Sequence, residues 1–128
     1  MSSWNRLGLF ALLALCSVGV SCAKPCETPF AVRYFKRFAA NYQIPFTPVE
    51  PMTEQEALAS EHYLKAQYND KCELHILEFF HDGNVTDADE YLYYANGDLK
   101  TRYMRYENGT VIVWKYDESG KASRESIQ

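Results

Sequence analysis

The chain of 128 residues carries 13 basic and 17 acidic side chains, for a net charge of −4. That balance disfavours nonspecific attachment to nucleic acid or to an anionic membrane surface. With 47% hydrophobic residues, the length suits one domain with a modest core and leaves little room for a second.

Met1 to Arg6 form a short, polar, cationic start, and Leu7 to Val20 follow as an uncharged apolar run of 14 residues. The run is too short to span a bilayer. With Ser21 and Ala23 in an A-x-A-like spacing, it predicts a signal peptide over residues 1–23, cut after Ala23. Gly19-Val20-Ser21-Cys22 also fits a permissive lipobox, in which Cys22 would be lipidated and would anchor the mature protein. Removing 23 of 128 residues, Arg6 among them and no acid, leaves one exported domain over 24–128 with net charge −5. Of four cysteines, cleavage leaves Cys26 and Cys72, and an oxidising compartment predicts their pairing. Closing that loop stabilises the fold by about 4 kcal/mol in the chain-entropy model. No Cys-x-x-Cys or His-x-x-x-His spacing accompanies either cysteine, so no metal is expected there.

All five prolines fall between Pro25 and Pro51, and the four glycines beyond the leader fall between Gly83 and Gly120. Residues 24–61 therefore read as helical and proline-rich, and 62–126 as a β-meander. Thr28-Pro29 suits a helix start, and Phe30, Tyr34, Phe38 and Tyr42 recur every four residues as one aromatic stripe. Arg33, Lys36 and Arg37 lie off the stripe, as a solvated helix face would place them. Ile44 to Pro51 cannot continue a helix, because prolines at 45, 48 and 51 remove donors, and it reads as a stiff connector. Thr53 and Glu56 fit a capping box, which starts a short helix at Glu54 that runs at least through Ser60. Tyr63 to Tyr68 either extends that helix or forms a first strand ending at a turn over Asn69-Asp70-Lys71, and the strand is favoured.

Asp82-Gly83, Asn96-Gly97, Asn108-Gly109 and Ser119-Gly120 are turn dipeptides. The runs between them, Cys72 to Phe80, Ala88 to Tyr94, Leu99 to Tyr106, Val111 to Tyr116 and Ala122 to Ser126, are rich in Tyr, Phe, Val and Ile and predict an antiparallel meander. The expected fold class is thus α+β: an N-terminal helix packed on an antiparallel β-meander of five to six strands.

An aromatic precedes each turn glycine by three or four residues: Phe80, Tyr94, Tyr106 and Tyr116. This pattern, with Trp114-Lys-Tyr116-Asp-Glu-Ser-Gly120, resembles the YD and MORN-type aromatic-glycine repeats of bacterial proteins over about residues 62 to 124. It departs at Ile112, where the MORN-type pattern expects glycine. The resemblance implies a sheet used as shell, scaffold or recognition surface, sometimes in antitoxins, and carries over no functional residue.

If both Asn-Gly turns are two-residue loops, Tyr94 pairs with Leu99 and Tyr106 with Val111. One face then collects Leu92, Tyr94, Leu99, Ile112 and Trp114, which should pack under the N-terminal helix. The other collects Tyr91, Tyr93, Lys100, Arg102 and Met104, with Val111, Val113 and Lys115, a tyrosine–cation mixture found in recognition patches. The plainer alternative is a solvated face with Lys and Arg stems laid over aromatics. A one-residue bulge would exchange the lists.

Chemistry-bearing patterns are sparse. His62, His75 and His81 have no helical metal spacing and belong to no nucleophile motif, and Gly-x-Ser-x-Gly does not occur. Asp82 to Glu90 offers oxygen ligands, but the EF-hand order fails at Asp87. Neither a cofactor nor a metal is expected. The expected function is that of an exported, non-enzymatic binding module with a protein partner, of immunity or inhibitor type. An envelope-attached structural lipoprotein and a small secreted hydrolase are the alternatives.

Overall fold

A computed structural model describes residues 26–127; the expected signal peptide over 1–23, with Cys22, lies outside the described residues. The described chain forms β1 (Val32–Phe38), β2 (Pro48–Met52), α1 (Glu54–Leu58), β3 (His62–Tyr68), β4 (Leu74–His81), β5 (Asn84–Tyr93), β6 (Leu99–Tyr106), β7 (Val111–Tyr116) and β8 (Ala122–Ile127). All eight strands join one antiparallel sheet in the order β2-β1-β3-β4-β5-β6-β7-β8. The fold is therefore nearly all β, and the expected N-terminal helix on a five- to six-stranded meander is not what forms.

The aromatic spacing explains the error. Residues four apart share a face in a strand as well as on a helix, so Tyr34 and Phe38 do not separate the two periods. The ends of the expected stripe, Phe30 and Tyr42, are 71% and 73% exposed. Phe35, off the stripe, enters the core instead, where it pairs with Leu64 of β3. Val, Tyr and Phe fit the half-buried pleat of a sheet better than a helix surface. The connector reading fails over its second half for a related reason. Pro48 and Pro51 lie in β2, opposite Phe38 and Phe35, and an edge strand tolerates their missing donors.

The capping box forms as expected: Thr53 Oγ1 accepts from Glu56 N at 3.1 Å, and Glu56 Oε1 accepts from Thr53 N at 3.3 Å. The helix stops at Leu58, short of Ser60, with Ala57 as its one buried side chain. Tyr63 to Tyr68 is strand.

The hairpin loops decide the register. Asp82-Gly83 is a two-residue loop between His81 and Asn84, with φ of 48° and 79°, as a type I′ turn requires. Four other loops hold three residues. In each, the residue before the loop donates to the carbonyl four places on: Asn69 to Glu73, Tyr94 to Asp98, Tyr106 to Thr110 and Asp117 to Lys121. The third loop residue (Cys72, Gly97, Gly109 or Gly120) has positive φ and donates back to the residue before the loop. Tyr94 and Tyr106 therefore face Asp98 and Thr110, not Leu99 and Val111, because an αL residue closes a three-residue loop. The loop thereby sets Leu99 opposite Tyr93, and a further irregularity between Leu92 and Tyr93 brings Thr101 opposite Leu92 and Arg102 opposite Tyr91. Arg102 now pairs with Trp114 and Met104 with Ile112, so the expected face lists are exchanged along β7.

Cys26 and Cys72 are disulfide-bonded, with Cα atoms 5.5 Å apart, which ties the segment before β1 to the β3–β4 loop. The core comprises Phe35, Leu64, Ala66, Leu74, Leu77 and Tyr91. The loop over residues 39–47, closed by Ala39 N donating to Thr47 O at 2.8 Å, brings Ile44 and Phe46 onto it. This loop supplies the cover expected from a helix, and it lies on the face that carries Tyr91.

Gly109 has φ of 86° and open space where a Cβ would stand, so the backbone conformation alone penalises a side chain there. Gly109→Val should lower stability by about 1 kcal/mol or more in urea unfolding. An unchanged midpoint would contradict the loop geometry.

Candidate functional site

Strand alternation sets Asp89 and Tyr91 side by side on one face of β5, and the β5–β6 register places Arg102 directly opposite Tyr91. All three are buried, with Tyr91 at 0% and Arg102 at 7% exposure. Asp89 Oδ2 accepts from Tyr91 Oη at 2.8 Å, Arg102 Nε at 3.0 Å and Arg102 Nη2 at 2.6 Å. Tyr91 Oη in turn accepts from Phe46 N at 3.4 Å, and the Arg102 guanidinium lies 5.0 Å from the Phe46 ring centroid. A charged triad of this kind is fully satisfied and electrically neutral.

Above it opens an apolar cleft of about 180 Å³. Phe38, Phe46 and Phe79 wall one side, with Phe38 and Phe46 centroids 4.4 Å apart and Phe79 edge-on to both. Met104 and Tyr106 form the other side and Asp89 and Arg102 the floor, with Asp87 and Arg105 also in the lining.

The five expected binding residues are thus divided. Tyr91 and Arg102 are interior, so the expected open tyrosine–cation platform does not exist: the 39–47 loop covers it, and Asp89 neutralises its buried cation. Arg102 and Met104 reach the cleft. Tyr91, Tyr93 and Lys100 border a wider, more polar groove beside Asn69 to Lys71, Glu73 and Thr101. Tyr93 Oη donates to Leu74 O, and Lys100, exposed, sits 5.6 Å from the Tyr94 ring centroid. We take the cleft as the candidate site because its walls are three aromatics and its polar floor is already paired. Phe46 escaped the sequence reading, Phe38 was read on a helix stripe, and Asp89 was weighed only among the acids of a loop. The available signal was Asp89-x-Tyr91-x-Tyr93, an acid in phase with two tyrosines on one strand face.

The acids of β5 do not converge. Asp89 faces Arg102, whereas Glu90 on the opposite face meets His75 at 3.6 Å and Arg105 at 3.3 Å. Comparison with family models, with curated proteins and with solved structures gives no match.

Burial pushes the Tyr91 phenol far above its ordinary range, with the Asp89 charge adding to the shift. Burial does the same to Tyr93, with Glu73 and Tyr68 contributing. Because the folded phenols hold their protons longer than unfolded ones, their contribution is intact below about pH 10 and declines as pH rises further. In an alkaline titration, ionisation of these two tyrosines should coincide with loss of near-ultraviolet circular dichroism. Ionisation of all ten with the fold intact would contradict their burial.

Asp89→Ala should destabilise by about 3–5 kcal/mol, since it strands a buried guanidinium. Asp89→Leu combined with Arg102→Met should recover most of that loss in urea unfolding. A double variant as unstable as the single one would show that the pairing is not what matters.

Proposed function

We propose that the chain is an exported, non-enzymatic binding module whose partner is another protein, held by one apolar side chain of that partner in the cleft. The observation that carries the reading is the pairing of apolar aromatic walls with a neutral floor. Asp89 and Arg102 answer each other, so the floor itself asks no charge of an occupant. The volume also favours a single side chain. Sites for whole small molecules begin at about 300 Å³, whereas interface anchors fill single-residue pockets near the centre of a contact.

The Cys26–Cys72 bond supports the export part of the reading, because such bonds persist in oxidising compartments. On this view the aromatic-glycine hairpins are a rigid scaffold, as the resemblance to YD and MORN-type repeats implies, and an immunity or inhibitor role fits a domain that acts by occupying a partner's surface.

Affinity capture from the exported fraction of the source tests the reading. Met104→Lys, placed in the cleft wall, should reduce partner capture at least tenfold at unchanged melting temperature. Leu92→Ala, on the other face and 38% exposed, should leave capture intact. Capture insensitive to Met104→Lys would refute the cleft as the binding site.

A further inference from the structure

We propose that Glu61, His62 and His81 form a surface site for one divalent ion of the zinc class. The antiparallel register of β3 and β4 sets His62 opposite His81, and their rings stack with centroids 4.4 Å apart and an 11° interplanar angle. Asp82 N donates to Glu61 O at 2.8 Å, which fixes the start of β3 against the end of β4. Both imidazoles then turn Nε2 toward the same carboxylate oxygen. Glu61 Oε1 lies 3.2 Å from His81 Nε2 and 3.6 Å from His62 Nε2.

Those separations are the ones a metal needs. Bonds of about 2.0–2.1 Å in a tetrahedron place neighbouring donors about 3.3 Å apart. One ligand atom from each of the three residues lies within 4.8 Å of the others, so one ion can reach all three once the two rings turn out of their stack to aim both Nε2 atoms at it. Asp82 Oδ2 lies 3.4 Å from His81 Nε2 but outside the group of three, so water would complete the set. The donor chemistry selects the ion: two imidazoles and a carboxylate suit zinc and its first-row neighbours, whereas calcium and magnesium require oxygen throughout. The side chains are half exposed or more, so the ion reaches the site from solvent. An ordinary surface ion pair would need one histidine per carboxylate. Here two rings share one carboxylate oxygen, which brings three donor groups to one point on the surface. The third histidine supplies the contrast, because His75 meets only Glu90.

Calorimetric titration of the purified chain with zinc chloride tests the site, with melting temperature as a second readout. The expected result is one equivalent of zinc bound and a melting temperature that rises with zinc, since the unfolded chain separates ligands 20 residues apart in sequence. His62→Ala and His81→Ala should each weaken binding at least tenfold, and His75→Ala should change it less than twofold. Glu61→Gln keeps the size of the side chain and decides the matter should a histidine variant misfold. It too should weaken binding at least tenfold. Absence of saturable uptake up to about 100 μM zinc, or uptake that survives the His62→Ala/His81→Ala double variant, would overturn the proposal.

Discussion

Arg102 is buried among aromatic rings, and a guanidinium stays charged at any pH the fold survives, so the sheet must supply its counter-charge from within. Asp89 does this, and Tyr91 uses the remaining capacity of the same oxygen. The consequence reaches beyond the pair. Tyr91 Oη also accepts from Phe46 N, and the guanidinium lies over the Phe46 ring, so the ion pair is the anchor that draws the 39–47 loop onto the sheet. Without that loop, one face of an eight-stranded sheet would be an open apolar surface. With it, Ile44 and Phe46 close the core, and the space left beside Phe46 becomes the cleft.

Such an arrangement depends on register, and register depends on the loops. Asp89, Tyr91 and Arg102 meet only because β5 and β6 pair as they do. The three-residue loop at Gly97 and the irregularity near Lys100 set that pairing together. A one-residue change in that register alone would turn Arg102 to the opposite face. Cys72 stands at the loop position that glycine holds elsewhere, with φ of 61°. Its side chain cannot relax away from that conformation freely, because it is bonded to Cys26. The disulfide and the β3–β4 loop therefore hold each other, and the chain before β1 is fixed to the sheet at one of its turns.

Much of the second half was legible because the physics there is local. Turn glycines and aromatic runs each determine their own neighbourhood, as the Thr53–Glu56 box does in the first half, and β6 and β7 begin and end where the residues alone place them. The first half was not legible, for an equally specific reason. A spacing of four satisfies the strand period and the helix turn alike, and only the pairing of Phe35 with Leu64, a contact distant in sequence, breaks the tie. The candidate site was half visible: Arg102 and Met104 were picked out, but as an exposed platform. Their burial follows from the 39–47 loop, whose prolines announce that it is not helical without saying where it lies.

The histidines make the same point about spacing. A metal motif on a helix is readable because both ligands fall within one turn, at i and i+4. Two strands joined by a short hairpin can bring ligands together from any pair of positions equidistant from the turn. His62 and His81 satisfy that condition around the β3–β4 hairpin only because His75 is an extra residue on β4, skipped between the pairs Tyr68–Leu74 and Gln67–Ile76. The irregularity between Gln67 and Tyr68 shifts every pair beyond it by one. Without that shift His62 would face Phe80. One residue in the strand register thus decides whether that end of the sheet carries facing imidazoles or two unrelated side chains, just as the β5–β6 register sets Asp89, Tyr91 and Arg102 on one face.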